Sequence, residues 1–131
     1  MAVLALPGSA SATGSVVGSG NFHVPGKVIG CHYVEYGPVS AALPASATIR
    51  CERYSDRTFV AISTTGTVTK SHQGSTVAPG PVAHQGGWTH RFSAKLTCTA
   101  IGMVGGGGEV DCTFGARHSF RINPTLVRIT N

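Results

Sequence analysis

Two ribbons, residues 27–54 and 88–122, each built of two strand-like arms with one inward cysteine per arm, constrain this chain more than anything else in it. From Trp88 to Ala100 the even positions are Trp88, His90, Phe92, Ala94, Leu96, Cys98 and Ala100; the odd positions are Thr89, Arg91, Ser93, Lys95, Thr97 and Thr99. From Val110 to Ile122 the pattern repeats, with Val110, Cys112, Phe114, Ala116, His118, Phe120 and Ile122 against Asp111, Thr113, Arg117, Ser119 and Arg121. Such alternation marks strands with one buried face. The run Gly105–Gly108 supplies a turn between them. Folding the ribbon 88–122 about Gly105 sets Cys98 opposite Cys112, Leu96 opposite Phe114, Phe92 opposite His118 and Trp88 opposite Ile122. A slip of one residue would turn one arm inside out. Arms this long exceed the usual strand of about five or six residues, so a bend or bulge is expected near Ala94 or Gly115.

The first half repeats the scheme. Lys27–Tyr36 and Ala47–Tyr54 read as strands, and folding about Ala41 places Cys31 opposite Cys51 and Tyr33 opposite Ile49. The even cysteine count and inward parity point to two disulfides. The two hairpin registers independently give Cys31–Cys51 and Cys98–Cys112. The other connectivity, Cys51–Cys98 between sheets with Cys31–Cys112, stays open at this level. Structural zinc sites use cysteines two to four residues apart; the spacings here are far longer, so no metal is expected.

A length of 131 residues suits one domain. Charged residues make up only 11 %, and no window shows the three-to-four spacing of an amphipathic helix. Further strands are expected at Thr58–Thr64, Thr67–Lys70 and Thr125–Thr130, with Val82 in a short edge strand of a long Pro/Gly-containing loop. The expected fold is therefore all-β: an antiparallel, immunoglobulin-like sandwich of about seven strands, dominated by the long hairpin 88–122, with a jelly roll as the alternative. Met1–Gly20 is uncharged. Ala2-Val-Leu-Ala-Leu6, a Pro7-Gly8 break and the small-x-small site Ala10-Ser11-Ala12 read as the remnant of a secretory signal. The basic start of such a signal is missing and the apolar run is short, so the expectation for residues 1–20 is either a truncated signal remnant or an extended N-terminal arm. Residues 21–131 form the sandwich domain. No stretch is long and apolar enough for a membrane span.

No catalytic constellation emerges. Of the five carboxylates Glu35, Glu52, Asp56, Glu109 and Asp111, only the last two are close, and they flank a hairpin tip. The six histidines lack metal spacing, and no nucleophile elbow is present. The chain is expected to be no enzyme and to need no cofactor. One feature stands out: Arg91, Lys95, Arg117 and Arg121 fall on the outward face of the long hairpin, with Glu109 and Asp111 toward its tip. They form a candidate patch for an anionic or protein partner, or a solvated face that blocks edge aggregation. The net charge of +5 comes without basic runs, which argues against nucleic acid.

At Ala47-Thr-Ile-Arg-Cys51, Ala78-Pro-Gly-Pro-Val-Ala83 and Leu96-Thr-Cys98-Thr-Ala100, the chain resembles small secreted four-cysteine β-sandwich proteins of actinobacteria, over roughly Gly30 to Thr113. The resemblance implies a sandwich in an oxidising compartment and no enzyme activity. The expected function is a secreted, non-catalytic module with a structural or binding role at an extracellular surface. The alternative is a virion decoration or shell protein that uses residues 1–20 as an assembly arm. Either role implies a protein partner or self-assembly.

Overall fold

The computed structural model describes residues 14–40, 45–84, 88–92, 95–102 and 107–131. Apart from a tight turn at Pro25–Lys27, the described elements are strands: β1 (Val16–His23), β2 (Ile29–Tyr36), β3 (Ser46–Arg53), β4 (Thr58–Ser63), β5 (Val68–Ser71), β6 (Val82–Ala83), β7 (Trp88–Arg91), β8 (Leu96–Gly102), β9 (Gly108–Phe114), β10 (His118–Ile122) and β11 (Val127–Thr130). They form two sheets, in the orders β5-β4-β3-β2-β1-β6 and β11-β10-β9-β8-β7. The core between the sheets draws on both: Phe22, Ile29, Ile49 and Ile62 from the first, and Leu96, Val110, Phe120 and Ile122 from the second. The all-β sandwich expected from alternation is the observed fold. Its connectivity is simpler than the immunoglobulin-like pattern, whose strands cross between sheets. Here each sheet is a meander, and only β6 returns, pairing in parallel with β1 at Phe22 and His23.

The long hairpin is corrected. Its first arm doubles back after Phe92, whose amide donates to the Leu96 carbonyl at 2.8 Å. Its second arm doubles back at Gly115–Arg117. Trp88 therefore faces Ala100, not Ile122; Ile122 faces Val110; and His118 faces Phe114, not Phe92. The physical reason is strand length: a ribbon of that reach cannot stay over a core this small, so the expected bends become full reversals. Parity survives because folding a strand back keeps its apolar face inward. The central register is as the alternation requires, with Cys98 opposite Cys112 and Leu96 opposite Phe114. The tip residues 103–106 lie outside the described residues.

Both disulfides join directly opposed residues within one sheet. Cys31–Cys51 and Cys98–Cys112 each have Cα atoms 4.1 Å apart, and all four cysteines are fully buried. The inter-sheet connectivity Cys51–Cys98 with Cys31–Cys112 does not form.

The count of about seven strands and the domain boundary at residue 20 are also corrected. Eleven strands are present among the described residues, and β1 begins at Val16, paired with β2 along its length. Two glycines in Val16–His23 hide this strand from a propensity argument. Gly20 is where the Tyr33 ring crosses β1: a Cβ there would stand 2.9 Å from the Tyr33 hydroxyl. Residues 1–13, which carry the signal or arm readings, lie outside the described residues.

Candidate functional site

The outer face of the second sheet is built from the odd positions of β7–β10 and the even positions of β11. Because Leu96, Cys98, Val110, Cys112, Phe120 and Ile122 are buried, their neighbours point away from the core. The register aligns these in two rows. One runs Thr89, Thr99, Asp111, Arg121, Arg128; the other runs Arg91, Thr97, Thr113, Ser119, Thr130. Thr89 and Thr99 bring their hydroxyls to 3.2 Å. A shallow groove of about 270 Å³ lies over Asp111, Thr113, Ser119, Arg121 and Arg128.

The four cations singled out by the sequence reach this sheet by different routes. Arg91 is exposed on the edge strand β7, and Arg117 is exposed in the turn between β9 and β10. Lys95 lies at the same end, its carbonyl accepting the Gly115 amide at 3.2 Å. Arg121 lies directly across from Asp111 and forms ion pairs with both Asp111 and Glu109 at 3.2 Å. The expected separation into a basic base and an acidic tip is corrected, because the reversal of the second arm brings Arg121 beside the acids. Asp111 is held up at about 6, first by burial and then by its hydrogen bond with Glu109, against the opposing pull of Arg121. The same contact with Asp111 raises Arg121. Asn123 fixes the far side of the acid pair, donating to Glu109 at 2.8 Å.

Arg128 was missed by the sequence reading. It is exposed on β11, paired in register with Arg121. Its signal was the alternation Val127-Arg128-Ile129-Thr130, which puts Arg128 on the polar parity once β11 is known to extend this sheet. Five of the ten Lys/Arg residues thus sit on one sheet, against two carboxylates.

Elsewhere the charges serve the fold. Arg53 grips Asp56 at 2.7 Å and also donates to the Asn123 carbonyl, an arrangement that keeps the Asp56 carboxyl well below its ordinary range. Arg57 pairs with the buried Glu52 at 3.3 Å. Arg50 packs 4.4 Å from the Phe59 ring centroid and donates to the Ser75 carbonyl at 2.6 Å. Glu35 lies 3.5 Å from His90 Nε2. That distance suits an ion pair but lacks hydrogen-bond geometry, since His90 Nε2 is buried without a hydrogen-bond partner. All five carboxylates therefore have a cation or an imidazole beside them.

A second feature was not legible as a site. Where β1 and β7 face each other at the open side of the sandwich, Phe22, Tyr33, His84, Trp88 and His90 line a cavity of about 410 Å³. Trp88 and His84 stack with centroids 4.1 Å apart and planes within 12°. Parity gave the inward direction of Trp88 and His90; only the sheet order places them against β1. Burial lowers His84, and the neighbouring His23 and His90 lower it further.

Comparisons of the chain with protein-family models, with curated proteins and with solved structures gave no match.

Proposed function

We propose that this chain is a non-catalytic β-sandwich module, exported to an oxidising compartment, that binds an anionic partner at an extracellular surface through the outer face of β7–β11. The observation that carries this reading is the distribution of charge. Each carboxylate is matched inside the fold, while Arg91, Arg117 and Arg128 project from one sheet among threonine and serine hydroxyls. Strands about 4.8 Å apart put Arg91 and Arg128 roughly 19 Å from each other. That spacing suits an extended acidic surface or polymer, not a point ion. Guanidinium groups bind carboxylate, sulfate or phosphate in a fork, and hydroxyls between them hydrogen-bond whatever lies across. The two cross-strand disulfides support export, because such bonds persist in oxidising compartments.

The test is retention on sulfated and carboxylated agarose as salt is raised. Arg91→Glu with Arg128→Glu should elute at markedly lower salt than Lys27→Glu with Lys70→Glu, which changes net charge equally but lies on β5 and in the turn before β2, away from the second sheet. Equal elution of the two pairs would show that only total charge matters, and the face would lose its assignment.

A further inference from the structure

The cavity between β1 and β7 has a rim that is also a strand edge. The His23 carbonyl accepts the His84 amide at 2.8 Å, so His23 turns its hydrogen-bonding groups away from β2. In an antiparallel ladder alternate residues face the same side, and Asn21 and Ser19 therefore turn outward as well. The register is uninterrupted from Gly18 to His23, its one irregularity lying between Val16 and Gly18. Asn21 is already covered: its side chain donates to the Ala78 carbonyl at 2.8 Å, and Gly80 packs so closely that a Cβ would stand 2.4 Å from the Asn21 carbonyl oxygen. Ser19 has no strand beside its outer edge among the described residues, because β6 pairs with β1 only at Phe22 and His23.

We propose that this seam is a peptide site, independent of the anion-binding face of β7–β11. An uncharged, extended segment of a partner protein adds to β1 in line with β6, exchanges main-chain hydrogen bonds with Ser19, and places one bulky apolar side chain in the cavity. Three observations select this occupant. The chain itself already adds a strand to this edge at Phe22 and His23, so the ligand continues an existing interaction. The described lining holds aromatic and imidazole rings but no lysine, arginine or carboxylate, which favours an apolar group and disfavours a charged one. Both imidazoles run nearly parallel to the indole of Trp88, within 12° for His84 and 6° for His90. With the His84 ring stacked on it at 4.1 Å, Trp88 has one face already covered, which disfavours a sugar ring and favours a side chain. Val82, 46 % exposed, extends the apolar rim.

The experiment uses the full chain and a library of capped octapeptides alternating Ser and Val, with each position varied in turn. Trp88, the only tryptophan, reports binding by its fluorescence. The expected result is selection of Phe, Tyr, Leu or Met at one position, with Lys, Asp and Glu rejected there. N-methylation of the peptide amides of one parity should weaken binding about tenfold, the worth of one lost main-chain hydrogen bond, while methylation of the other parity leaves it unchanged. Val82→Glu should weaken binding similarly without touching a main-chain bond. Absence of any positional selection would overturn the proposal. So would equal effects of the two methylation parities, which would mean a ligand held by the cavity without strand addition.

Discussion

The buried carboxylate of Glu52 accepts the backbone amide of Val77 at 2.8 Å, and that contact anchors the long loop between β5 and β6. The Tyr54 hydroxyl donates to the Val77 carbonyl at 2.5 Å, and Arg57 donates to the Gly74 carbonyl at 2.6 Å. Farther along, Asn21 and His23 hold Ala78 and Pro79. The loop is therefore strapped across β3 and β1, and it delivers β6 and His84 to the seam. A loop rich in Pro and Gly is ordered here because its carbonyls and amides have fixed partners.

Glu52→Ala should destabilise the protein by about 2–3 kcal/mol, chiefly because it orphans the buried Val77 amide and also removes the carboxylate beside Arg57. Glu52→Gln keeps an acceptor for Val77 and should cost about half as much. Urea unfolding of both variants checks this; equal losses would mean that the contact with Val77 contributes nothing.

Much of this fold was legible because period two is a local property. Cys31 opposite Cys51, Cys98 opposite Cys112 and Leu96 opposite Phe114 all followed from alternation plus a turn. What alternation cannot report is where a long ribbon folds back. Both Phe92 facing His118 and Phe92 turning toward Leu96 keep the same parity, and only the extent of the opposing sheet decides between them. Gly20 of β1 misled for a different reason, being required by the crossing ring of Tyr33, a partner on the neighbouring strand. At the candidate site, the cations were visible but their pairing was not: Arg121 meets Asp111 and Glu109 only after the second reversal, and Arg128 joins only once β11 is docked.

The two disulfides close loops of similar size, with sequence separations of 20 and 14. Loop-closure entropy then predicts about 3 kcal/mol from each. Replacing either pair by alanines should lower stability by about that amount, and reductant should add nothing more at the replaced pair. Chemical denaturation of each double variant, with and without reductant, reads this directly. A cost below about 1 kcal/mol for either pair would show that its sheet is held by packing alone.

Asp111 sets a pH dependence of unusual sign for a carboxylate. Its folded pKa of about 6 lies above the ordinary 3.8, so between those values the native state holds the proton more tightly than the unfolded chain. The resulting stabilisation is fully present below pH 3.8 and is lost as pH rises through 6. Asp111→Asn removes the dependence while keeping an oxygen for Arg121. Relative to the parent, the variant should gain about 1 kcal/mol between pH 4 and 7 after allowance for solvent screening. Thermal melts across that range supply the comparison, and a constant difference between the two proteins would contradict the assignment.

His84 should act at the seam in the opposite sense. Its pKa lies below the ordinary 6.5, because burial against Phe22 and Trp88 removes water and because His23 and His90 would repel a further charge. The native state therefore favours the neutral ring more than the unfolded chain does. That stabilisation is present above pH 6.5 and is lost as pH falls through the lowered value. The groups around the ring explain why no relief is at hand: the seam's nearest carboxylate, Glu35, lies against His90. His84→Phe keeps a ring against Trp88 but cannot titrate. It should flatten the acid limb of the stability curve by at most about 1.4 kcal/mol per pH unit, the limit for one proton. Trp88 fluorescence followed through urea unfolding from pH 7.5 to 5 measures this. An acid limb unchanged in the variant would overturn this assignment and leave His84 only a stacking partner for Trp88.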